Sequence, residues 1–476
     1  MDKRGFEPFT IAIFVIAIVA VAGVTYLSSK NLDFSPRGGD IGIGDLGVKK
    51  DLVSIKPIVE CSDNIDNDGD GFVDYPDDPD CSSLDDKTED FYEICTPQDL
   101  DNVRGYLVGD YIQKCDIDLG GYEFEPIGDF YHRFEGIYDG QDHKISNFRY
   151  HNSDMSSVGL FSTTYGATLR NMVIMNASVE GAAKTGTLLG YAYYSTIIEN
   201  SYAVGGDVKG TFEVGGLVGN AKDNSIIRNS YANVKVLTVV GSYYAGGLIG
   251  AIRNFTIVED SYALGDIEST SQGTGGLIGG AFGGGVTGPG GISVLNSYAG
   301  GEVISSSHYV GGLIGELGYF DDPVYSNLIK DSYATGNVQG GGIGTGGLIG
   351  YSINSNIENS YATGEVTGGN NSVDSYYTGG LVGGLTENSL IKDSYATGNV
   401  SANGDRVGGL VGQAFYSSII ENSFSPGNTD GIGWIGGFVG SLWYASTIKN
   451  SYSIGAVSGF DNIGGMVGKA SFDSQA

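Results

Sequence analysis

Residues 346–366 read GGLIGYSINSNIENSYATGEV, and this order of short blocks recurs along most of the chain. A period in this range is typical of arrays in which each unit stacks on its neighbour. The first block, GGLVG or a close variant, starts at Gly215, Gly246, Gly275, Gly311, Gly346, Gly379, Gly408, Gly436 and Gly464, with a weaker copy at Gly186. The second block, NSYA or a variant, has its serine at positions spaced by 28 to 36 residues, namely Ser201, Ser230, Ser261, Ser297, Ser332, Ser360, Ser394, Ser423 and Ser451.

The composition of the repeats predicts strands. The 476 residues include 80 glycines and 31 tyrosines, and 41% of the chain is apolar. Helical repeats are excluded, because glycine costs about 1 kcal/mol per residue inside a helix. A propeller blade needs about 40–45 residues, whereas about 28 residues suit three short strands. We therefore expect an all-β fold, a right-handed parallel β-solenoid (β-helix) of about eleven rungs that forms a rod of roughly 50 Å.

Within each unit, the residues around the Asn or Asp of the second block alternate as they would in a strand. Two positions before it stands an aliphatic residue, and two positions after it an aromatic one. We expect both sets to face the core and to stack as ladders. The aliphatic residues are Ile198, Ile227, Val258, Val294, Ile329, Ile357, Ile391, Ile420 and Ile448, and the aromatic residues are Tyr202, Tyr231, Tyr262, Tyr298, Tyr333, Tyr361, Tyr395, Phe424 and Tyr452.

The residue between the aliphatic residue and the Asn or Asp is expected to point outward. Its charge changes sign from unit to unit, except at Leu295, in the series Glu199, Arg228, Glu259, Leu295, Lys330, Glu358, Lys392, Glu421 and Lys449. The next position never carries Asp in two successive units, and reads Asn200, Asn229, Asp260, Asn296, Asp331, Asn359, Asp393, Asn422 and Asn450. Stacked strands lie about 4.8 Å apart, where opposite charges attract and like charges repel. Both series predict that each unit lies in register on the next.

The blocks GGLVG and I-x-N-S-Y-A-T-G-x-V together resemble the GLUG motif, over roughly residues 155–468. This motif occurs in bacterial adhesins, in filamentous-haemagglutinin-like surface proteins and in some IgA-specific metallopeptidases. The resemblance implies a β-solenoid at a cell surface and does not identify a ligand. Zinc-dependent proteolysis is not expected, because the four histidines, His132, His143, His151 and His308, form no H-E-x-x-H motif.

Residues 93–154 are predicted to form an N-terminal cap and the first turns, ahead of the repeat array at 155–476. Thr96 and Pro97 begin a helix pattern, with Thr96 as N-cap and Pro97 in the first turn. A short helix here would cover the open edge of the first coil. The array ends within a unit, GGMVGKASFDSQA, so either the gene model is incomplete or the last rung contacts a partner.

An apolar run near the N-terminus predicts a signal anchor over residues 1–29. Phe9–Leu27 contains 19 consecutive residues without a charge, nearly enough for a helix to cross a hydrocarbon core of about 30 Å. Lys3 and Arg4 precede it, which predicts a single-pass protein of the cell membrane with most of the chain extracellular. A cleaved secretory signal is the alternative. The basic start and the apolar run also resemble a pilin-type signal of archaeal surface proteins.

After a linker at 30–58, residues 59–92 form an acidic module with the spacing of a calcium loop. The candidate Ca²⁺ ligands fit D-x-D-x-D-G-x5-E with Asp in the last position, and are Asp66, Asp68, Asp70, Phe72, Asp74 and Asp77. Ca²⁺ takes six to eight hard oxygens, here carboxylates and the Phe72 carbonyl, and Gly71 permits the sharp turn. The frame of Cys61 and Cys81 is similar to calcium-binding modules of bacterial and archaeal surface proteins. We expect a structural Ca²⁺ in this module.

The cysteines Cys61, Cys81, Cys95 and Cys115 all precede the repeats. An even count in an exported chain indicates disulfides. The sequence does not fix the pairing, and our expectation is Cys61–Cys81 and Cys95–Cys115. Each bridge would close a loop of about 20 residues, worth about 3 kcal/mol in loop-closure entropy.

Charge and motifs narrow the function. A net charge of −31 argues against binding nucleic acid. We predict a non-enzymatic structural or adhesin-like surface protein whose solenoid binds a carbohydrate or protein ligand. The alternatives are a polysaccharide lyase or hydrolase, with Asp321, Asp322 and Asp374 as candidate carboxylates, and a pilin-like filament subunit. Candidate glycosylation sites in N-x-S/T sequons are Asn176, Asn254, Asn370 and Asn399.

Overall fold

The computed structural model describes residues 91–283, 291–318, 327–369, 376–471 and 473–475, together with Ser62, Asn64 and Val73. The chain divides into two compact units, Met1–Ile58 and Val59–Ala476. The first unit lies wholly outside the described residues, and so do the predicted anchor and linker. The predicted calcium module also lies outside them, apart from those three residues and the start of the first strand.

The described chain is a parallel β-solenoid of about twelve turns built from three sheets, with almost no helix. Sheet A has 13 strands: Phe91–Ile94, Asp110–Gln113, Ile137–Asp139, Thr168–Arg170, Ile197–Glu199, Ile226–Arg228, Ile257–Glu259, Ser293–Leu295, Asn327–Lys330, Ser355–Glu358, Leu390–Lys392, Ile419–Glu421 and Thr447–Lys449. Sheet C has 11 strands: Phe161–Tyr165, Leu189–Tyr193, Val218–Lys222, Ile249–Arg253, Ile278–Phe282, Ile314–Leu317, Ile349–Ile353, Val382–Thr386, Val411–Ala414, Val439–Trp443 and Val467–Ser471.

Sheet B contains up to three short strand pieces from each turn, 29 in all. They are Ile117–Asp118, Lys144–Ser146, Arg149–His151, Ser156–Val158, Val173–Glu180, Ala183–Thr185, Tyr202–Gly215, Tyr231–Gly246, Tyr262–Ala263, Ile267–Ser269, Gln272–Gly275, Tyr298–Ala299, Val303–Ser305, Val310–Gly311, Tyr333–Ala334, Val338–Gly340, Thr345–Gly346, Tyr361–Ala362, Val366–Gly368, Thr378–Gly379, Tyr395–Ala396, Val400–Ala402, Asp405–Gly408, Phe424–Ser425, Thr429–Asp430, Gly433–Gly436, Tyr452–Ser453, Val457–Ser458 and Asp461–Gly464.

Each repeat forms one turn and lies in register on the next, as predicted. Ile198 pairs with Ile227, and Glu199 pairs with Arg228, which in turn pairs with Glu259. The charged column therefore alternates along sheet A. The sequence predicted about eleven rungs; it missed the earliest turn because Phe91–Ile94 carries neither repeat block.

The core runs without interruption through the stacked turns. In one typical turn, Ile227, Ala232, Val236, Leu248 and Ile249 are all fully buried in the main hydrophobic cluster. They come from sheet A, from two parts of sheet B and from the GGLVG block. Burying each large aliphatic side chain contributes about 1.5–3 kcal/mol, so every turn supplies its own share of the stability.

The tyrosines of the second block lie outside the core, contrary to the prediction. Asn200 has φ 49° and Asn229 has φ 49°, in the left-handed region. This corner breaks the alternation, so Ser201 points inward and Tyr202 lies half-buried on the outer face. Asn is among the few residues that adopt this conformation readily, which explains why the position holds Asn or Asp.

The inward serines form a buried ladder at this corner. The backbone N–H of Ser230 donates to Oγ of Ser261 in the next turn, at 3.2 Å, and Ser230 Oγ donates to the carbonyl oxygen of Arg228 at 2.8 Å. The same pair of bonds recurs at the neighbouring serines. Because a buried backbone N–H left unpaired costs stability, the serine hydroxyl replaces the strand bond lost at the corner.

The second glycine of the GGLVG block is required by close packing between turns. A Cβ on Gly312 would collide with the carbonyl oxygen of Gly347 in the next turn, and a Cβ on Gly347 would collide with that of Gly380. Any larger residue would force the turns apart. The double glycine therefore sets the stacking distance at this corner.

The N-terminal cap forms as predicted. The helix Pro97–Asn102 starts at the N-cap Thr96, whose hydroxyl accepts a hydrogen bond from the Asp99 backbone. It is followed by a 3₁₀ turn, Val103–Gly105. Leu100 in the helix is fully buried in the main cluster, so the helix covers the first turn. Cys95 and Cys115 form a disulfide that ties this cap to the first turns, as predicted.

The last turn is far less covered than the others. Ile463 is 49% exposed, whereas its equivalents in the two preceding turns, Ile435 and Val407, are fully buried. Contact of this rung with a partner remains a prediction. Among the described residues, no helix has the length and apolar character that crossing a bilayer requires.

Candidate ligand-binding face

The outer face of sheet A carries charges that neutralise one another. Its charged column contains four acidic and four basic side chains. Arg228 Nη2 lies 2.5 Å from Glu199 Oε2, and Lys392 Nζ lies 3.6 Å from Glu421 Oε1. Partly exposed pairs of this kind contribute only about 0–1 kcal/mol each. With its charges paired along the rod, this face has little to attract a charged ligand.

The tyrosine ladder occupies the outer face of sheet B. Neighbouring rings from Tyr202 to Tyr452 are stacked, with centroids 4.6 to 5.5 Å apart and interplanar angles of 1° to 11°. Their faces are therefore covered by one another, and only the ring edges meet solvent. A flat ligand such as a sugar ring packs against aromatic faces, so the ladder serves stacking between turns.

The outer face of sheet C combines aromatic and basic side chains. One column points away from the core but is largely covered by neighbouring side chains. It consists of Tyr191, Asn220, Ala251, Gly280, Glu316, Tyr351, Gly384, Gln413, Ser441 and Lys469. The other includes Tyr165, Tyr193, Lys222, Arg253 and Phe282. A corner row with positive φ, which includes Lys184, Glu213, Tyr244, Tyr309, Arg406 and Trp434, contacts these columns. Sheet C is the candidate ligand-binding face.

Arg133 lies at the start of this face, on a platform of aromatic rings. Its guanidinium carbon is 5.2 Å from the ring centroid of Phe130, 5.5 Å from that of Tyr165 and 5.0 Å from that of Tyr193. Its Nε donates to the Phe130 carbonyl oxygen at 2.8 Å, which fixes the guanidinium in place. Within the described part of the chain, no carboxylate forms an ion pair with Arg133.

Exposed rings lie beside the aromatic platform that holds this guanidinium. Tyr131 is 85% exposed, Phe130 is 50% exposed and Tyr194 is 48% exposed. Tyr194 stacks on Tyr165 with centroids 5.1 Å apart, so its position is fixed although half of it meets solvent. We call Phe130, Tyr131, Arg133, Tyr165, Tyr193 and Tyr194 the Arg133 patch.

Two cations near Arg133 on this face, Lys222 and Arg253, have carboxylate partners. Lys222 Nζ lies 4.5 Å from the Tyr193 ring centroid and 3.4 Å from Asp223 Oδ2. Burial lowers the pKa of Lys222, but hydrogen bonding to Tyr191 and the charge of Asp223 outweigh it and leave the pKa above its ordinary value. The next turn pairs Arg253 with Glu213. Arg133 differs from these two cations because no carboxylate among the described residues forms an ion pair with it.

Glu316 lies in the middle of sheet C, enclosed by aromatic residues. Burial raises its pKa to about 7, against the lowering effect of bonds with Gln272 and Tyr244 and of the Arg253 charge. Its Oε2 is buried and has no hydrogen-bond partner among the described residues. A carboxyl group with this pKa is partly protonated at neutral pH, which makes it the most perturbed acid of the face.

Two further features lie towards the C-terminal turns. Trp434 has the Lys469 ammonium 4.0 Å and the Arg406 guanidinium carbon 4.8 Å from its ring centroid. At the corner between sheets C and A, an open groove of about 470 Å³ is lined by Glu387, Asn388, Tyr416, Ser417, Tyr444, Ala445 and Asp473. The Trp434 ring is thus engaged by cations of its own chain, and the groove is shallow and polar.

The residues predicted as calcium ligands, Asp66, Asp68, Asp70, Phe72, Asp74 and Asp77, lie outside the described residues, and so do Cys61 and Cys81. The same holds for the alternative catalytic carboxylates, Asp321, Asp322 and Asp374, and for Asn370. Their predictions stand untested.

The other candidate glycosylation sites lie on the surface of the solenoid. Asn176 and Asn399 are exposed, whereas Asn254 is half-buried and donates to Asp223 Oδ1 at 2.6 Å. Asn176 and Asn399 are therefore the more accessible of the three. Glycosylation itself remains a prediction.

The four histidines occupy separate places in the fold. His132 pairs with Asp129 and His143 with Asp116, each through Nδ1, at 3.1 and 3.3 Å. In the part of the chain that the structure describes, no three His, Cys, Asp or Glu side chains converge on a common metal position.

Comparisons with known proteins support the repeat class. The GLUG motif family matches residues 341–367 and 374–401, two neighbouring units. A protein of Evansella cellulosilytica, provisionally named as a Gly-rich membrane protein, is 38% identical over 114 residues, which is 21% of this chain and 13% of the relative. The chain thus covers only a small part of that relative's length.

A solved structure from Bacteroides ovatus, of a protein provisionally named as an immunoglobulin A1 protease, is also similar. It shares 22% sequence identity, and the match covers 66% of this chain and 77% of that one with a TM-score of 0.37. Two neighbouring units thus match the GLUG motif family, and they belong to a β-solenoid whose turns lie in register.

Sequence reasoning missed the Arg133 patch. The signal was present in Phe130-Tyr131-His132-Arg133 and in the pair Tyr193-Tyr194, where bulky aromatic residues stand in or beside turns. These residues lie in the first turns, ahead of the regular repeats, so periodicity gave no indication that they meet.

Proposed function

We propose that this protein is a non-enzymatic, adhesin-like solenoid of the cell surface that binds a carbohydrate or protein ligand through the outer face of sheet C. The observation that carries the proposal is the Arg133 patch, where exposed aromatic rings lie around a guanidinium that pairs with no described carboxylate. Exposed aromatic and arginine side chains are enriched at binding sites. On the other two outer faces, many charges are paired within the chain and most aromatic rings are stacked on one another.

A surface location is part of this proposal. The apolar run Phe9–Leu27 would anchor the chain in the membrane, with the solenoid outside. The name of the Evansella cellulosilytica relative, a membrane protein, agrees with this placement. Protease treatment of intact cells tests it: the solenoid is degraded if it is extracellular, and protection of the solenoid in intact cells would contradict this location.

Binding can be tested with the full-length chain on glycan arrays and on cultured cells. We expect binding to a limited set of ligands, and weaker binding after Tyr131→Ala, which removes an exposed ring without removing a core contact. Tyr92→Ala, at an exposed tyrosine outside the patch, is the matched control. Equal loss in both variants, or no binding to any glycan or cell, would contradict the proposal.

A second candidate function, cleavage of a polysaccharide, is favoured by Glu316. A carboxylic acid with a pKa near 7 suits general acid catalysis at neutral pH, and aromatic residues line its surroundings. Release of reducing or unsaturated ends from a panel of polysaccharides, abolished in Glu316→Gln, would assign this activity. Under the principal proposal no such release occurs.

We also propose that the loop Asp66–Asp77 binds a structural Ca²⁺ that stiffens the chain ahead of the solenoid. The support is the spacing of its carboxylates. Calorimetric titration of the full-length chain with Ca²⁺ should show binding that is lost in Asp68→Asn. Titration without heat or thermal stabilisation would exclude the site.

A further inference from the structure

We propose that the Arg133 patch binds an acidic sugar of a polysaccharide, with the Arg133 guanidinium receiving the carboxylate or sulfate group of that sugar. The inference rests on the proposed function and deepens it by naming the class of ligand. Carboxylate and sulfate share the chemistry that matters here, an anionic oxygen pair beside a sugar ring.

The positive charge of Arg133 contrasts with the acidic character of the chain. The chain has a net charge of −31, so most of its surface repels an acidic polymer. Arg133 is an exception, because no described carboxylate neutralises it and the neighbouring Lys222 is paired with Asp223. A guanidinium presents a planar fork of donors that fits two anionic oxygens at once. Its Nε is bound to the Phe130 carbonyl oxygen, while Nη1 and Nη2 donate to no described residue.

The exposed aromatic rings of the patch offer an apolar surface for a sugar ring. A pyranose has C–H groups on its ring faces, and these pack against aromatic faces in water. Tyr131 and Tyr194 offer such surface, since both are exposed, whereas the rings of the sheet B ladder cover each other. Clustered exposed apolar groups mark interaction sites. The patch thus combines an anion receptor with an apolar platform.

The loop that presents Tyr131 is held in shape before any ligand arrives. Asp129 Oδ1 accepts the backbone N–H groups of Tyr131 and His132 at 2.6 and 2.7 Å, and Asp129 Oδ2 lies 3.1 Å from His132 Nδ1. The bond with His132 lowers the pKa of Asp129. Because this carboxylate is engaged within its own loop, it is not the partner of Arg133. A prearranged loop reduces the entropy lost on binding.

An acidic peptide is the competing ligand. Its carboxylates are carried by flexible side chains, and it has no rigid C–H face to cover Tyr131 and Tyr194. A uronic acid holds the carboxylate at a fixed position beside its ring. The combination of one guanidinium with several flat rings therefore favours the sugar.

The test measures binding of the immobilised full-length chain to polygalacturonic acid, to its fully methyl-esterified form, to heparin and to poly-L-glutamate. The ester keeps the sugar backbone and removes the charge, while heparin distinguishes sulfate from carboxylate recognition. We expect at least one acidic polysaccharide to bind, and the ester to bind at least about tenfold more weakly than the acid if the carboxylate is recognised. Arg133→Gln should weaken binding of the acidic polysaccharide about tenfold or more.

Two variants keep the result interpretable. Arg149→Gln removes an exposed arginine on sheet B, outside the patch, and should leave binding within about twofold of wild type, far from the loss expected for a charge-assisted contact. Arg133→Lys keeps the charge without the fork and should give an intermediate affinity. Circular dichroism and thermal melting check that each variant is folded, and Tyr131→Ala replaces Arg133→Gln if the latter is not.

The outcomes separate this inference from the proposed function. If an acidic polysaccharide binds but Arg133→Gln and Arg149→Gln weaken it equally, the Arg133 inference is wrong and the binding function stands. If poly-L-glutamate binds as tightly and with the same dependence on Arg133, the sugar assignment is overturned. If neither acidic nor neutral polymers bind, both this inference and the proposed carbohydrate-binding function fail.

Discussion

Replacing Glu316 with Gln should stabilise the middle turns of the solenoid at pH 8 and leave them unchanged at pH 4.5. Burial raises the pKa of Glu316 to about 7 from an ordinary value of 4.5. In the unfolded chain this carboxyl ionises near its ordinary pKa, whereas in the folded chain it stays protonated until higher pH. The folded state therefore loses stability as the pH rises between these two values.

The size of the effect follows from the two pKa values. At about 1.4 kcal/mol per pKa unit, a rise from 4.5 to about 7 corresponds to about 3 kcal/mol. Gln has nearly the same shape and no charge, so the variant avoids this loss. Below pH 4.5 both side chains are neutral and the two proteins should be equally stable.

Hydrogen exchange measured by mass spectrometry on the peptide that contains Ile314–Leu317 provides the assay, because it reports the local free energy of opening. The exchange rates are corrected for their intrinsic dependence on pH. Glu302→Gln, at an exposed glutamate of the same turn, is the control and should show no such change. A difference between Glu316→Gln and wild type that is the same at pH 4.5 and pH 8 would refute the reasoning.

Three further changes test the architecture by urea unfolding or hydrogen exchange. Arg228→Glu places like charges in successive turns and should destabilise the array by about 1 kcal/mol at low salt; an effect that does not shrink in 1 M NaCl would contradict this origin. Asn229→Val should cost about 1–2 kcal/mol because of its positive φ, and Asn229→Gly clearly less; equal losses would argue against backbone strain. Replacing Cys95 and Cys115 by Ala should lower the free energy of unfolding by about 3 kcal/mol and should speed hydrogen exchange only in the cap. Unchanged hydrogen exchange in the cap would show that the disulfide is dispensable.

The sequence predicted the stacking of the repeats well, because residues that contact each other between turns recur at a regular spacing. Equivalent residues of successive turns touch, so the alternation from Glu199 to Lys449 records which turn lies on which. The cap helix was also predictable from the sequence, because Thr96 and Pro97 form a helix-start motif that does not depend on distant contacts. The Cys95–Cys115 disulfide is one of the two nearest-neighbour pairings that we expected, although the sequence alone did not fix it.

The direction of the tyrosine side chains could not be read from the pattern alone. Alternation holds only while the backbone is extended, and Asn200 leaves the extended region between Ile198 and Tyr202. The Arg133 patch was equally hidden. Its members come from three successive turns of irregular sequence, so only the fold brings Arg133 to Tyr165 and Tyr193.

The alternating charges on sheet A also restrict how many turns can be gained or lost at once when the gene is duplicated or shortened. Excising the single turn that carries Lys392 would bring Glu358 against Glu421, whereas excising two adjacent turns restores an opposite-charge contact. Duplication and loss in pairs of turns is therefore tolerated best along most of the rod. The turn with Leu295 is different: without it Glu259 would meet Lys330, so this turn can be removed or copied alone.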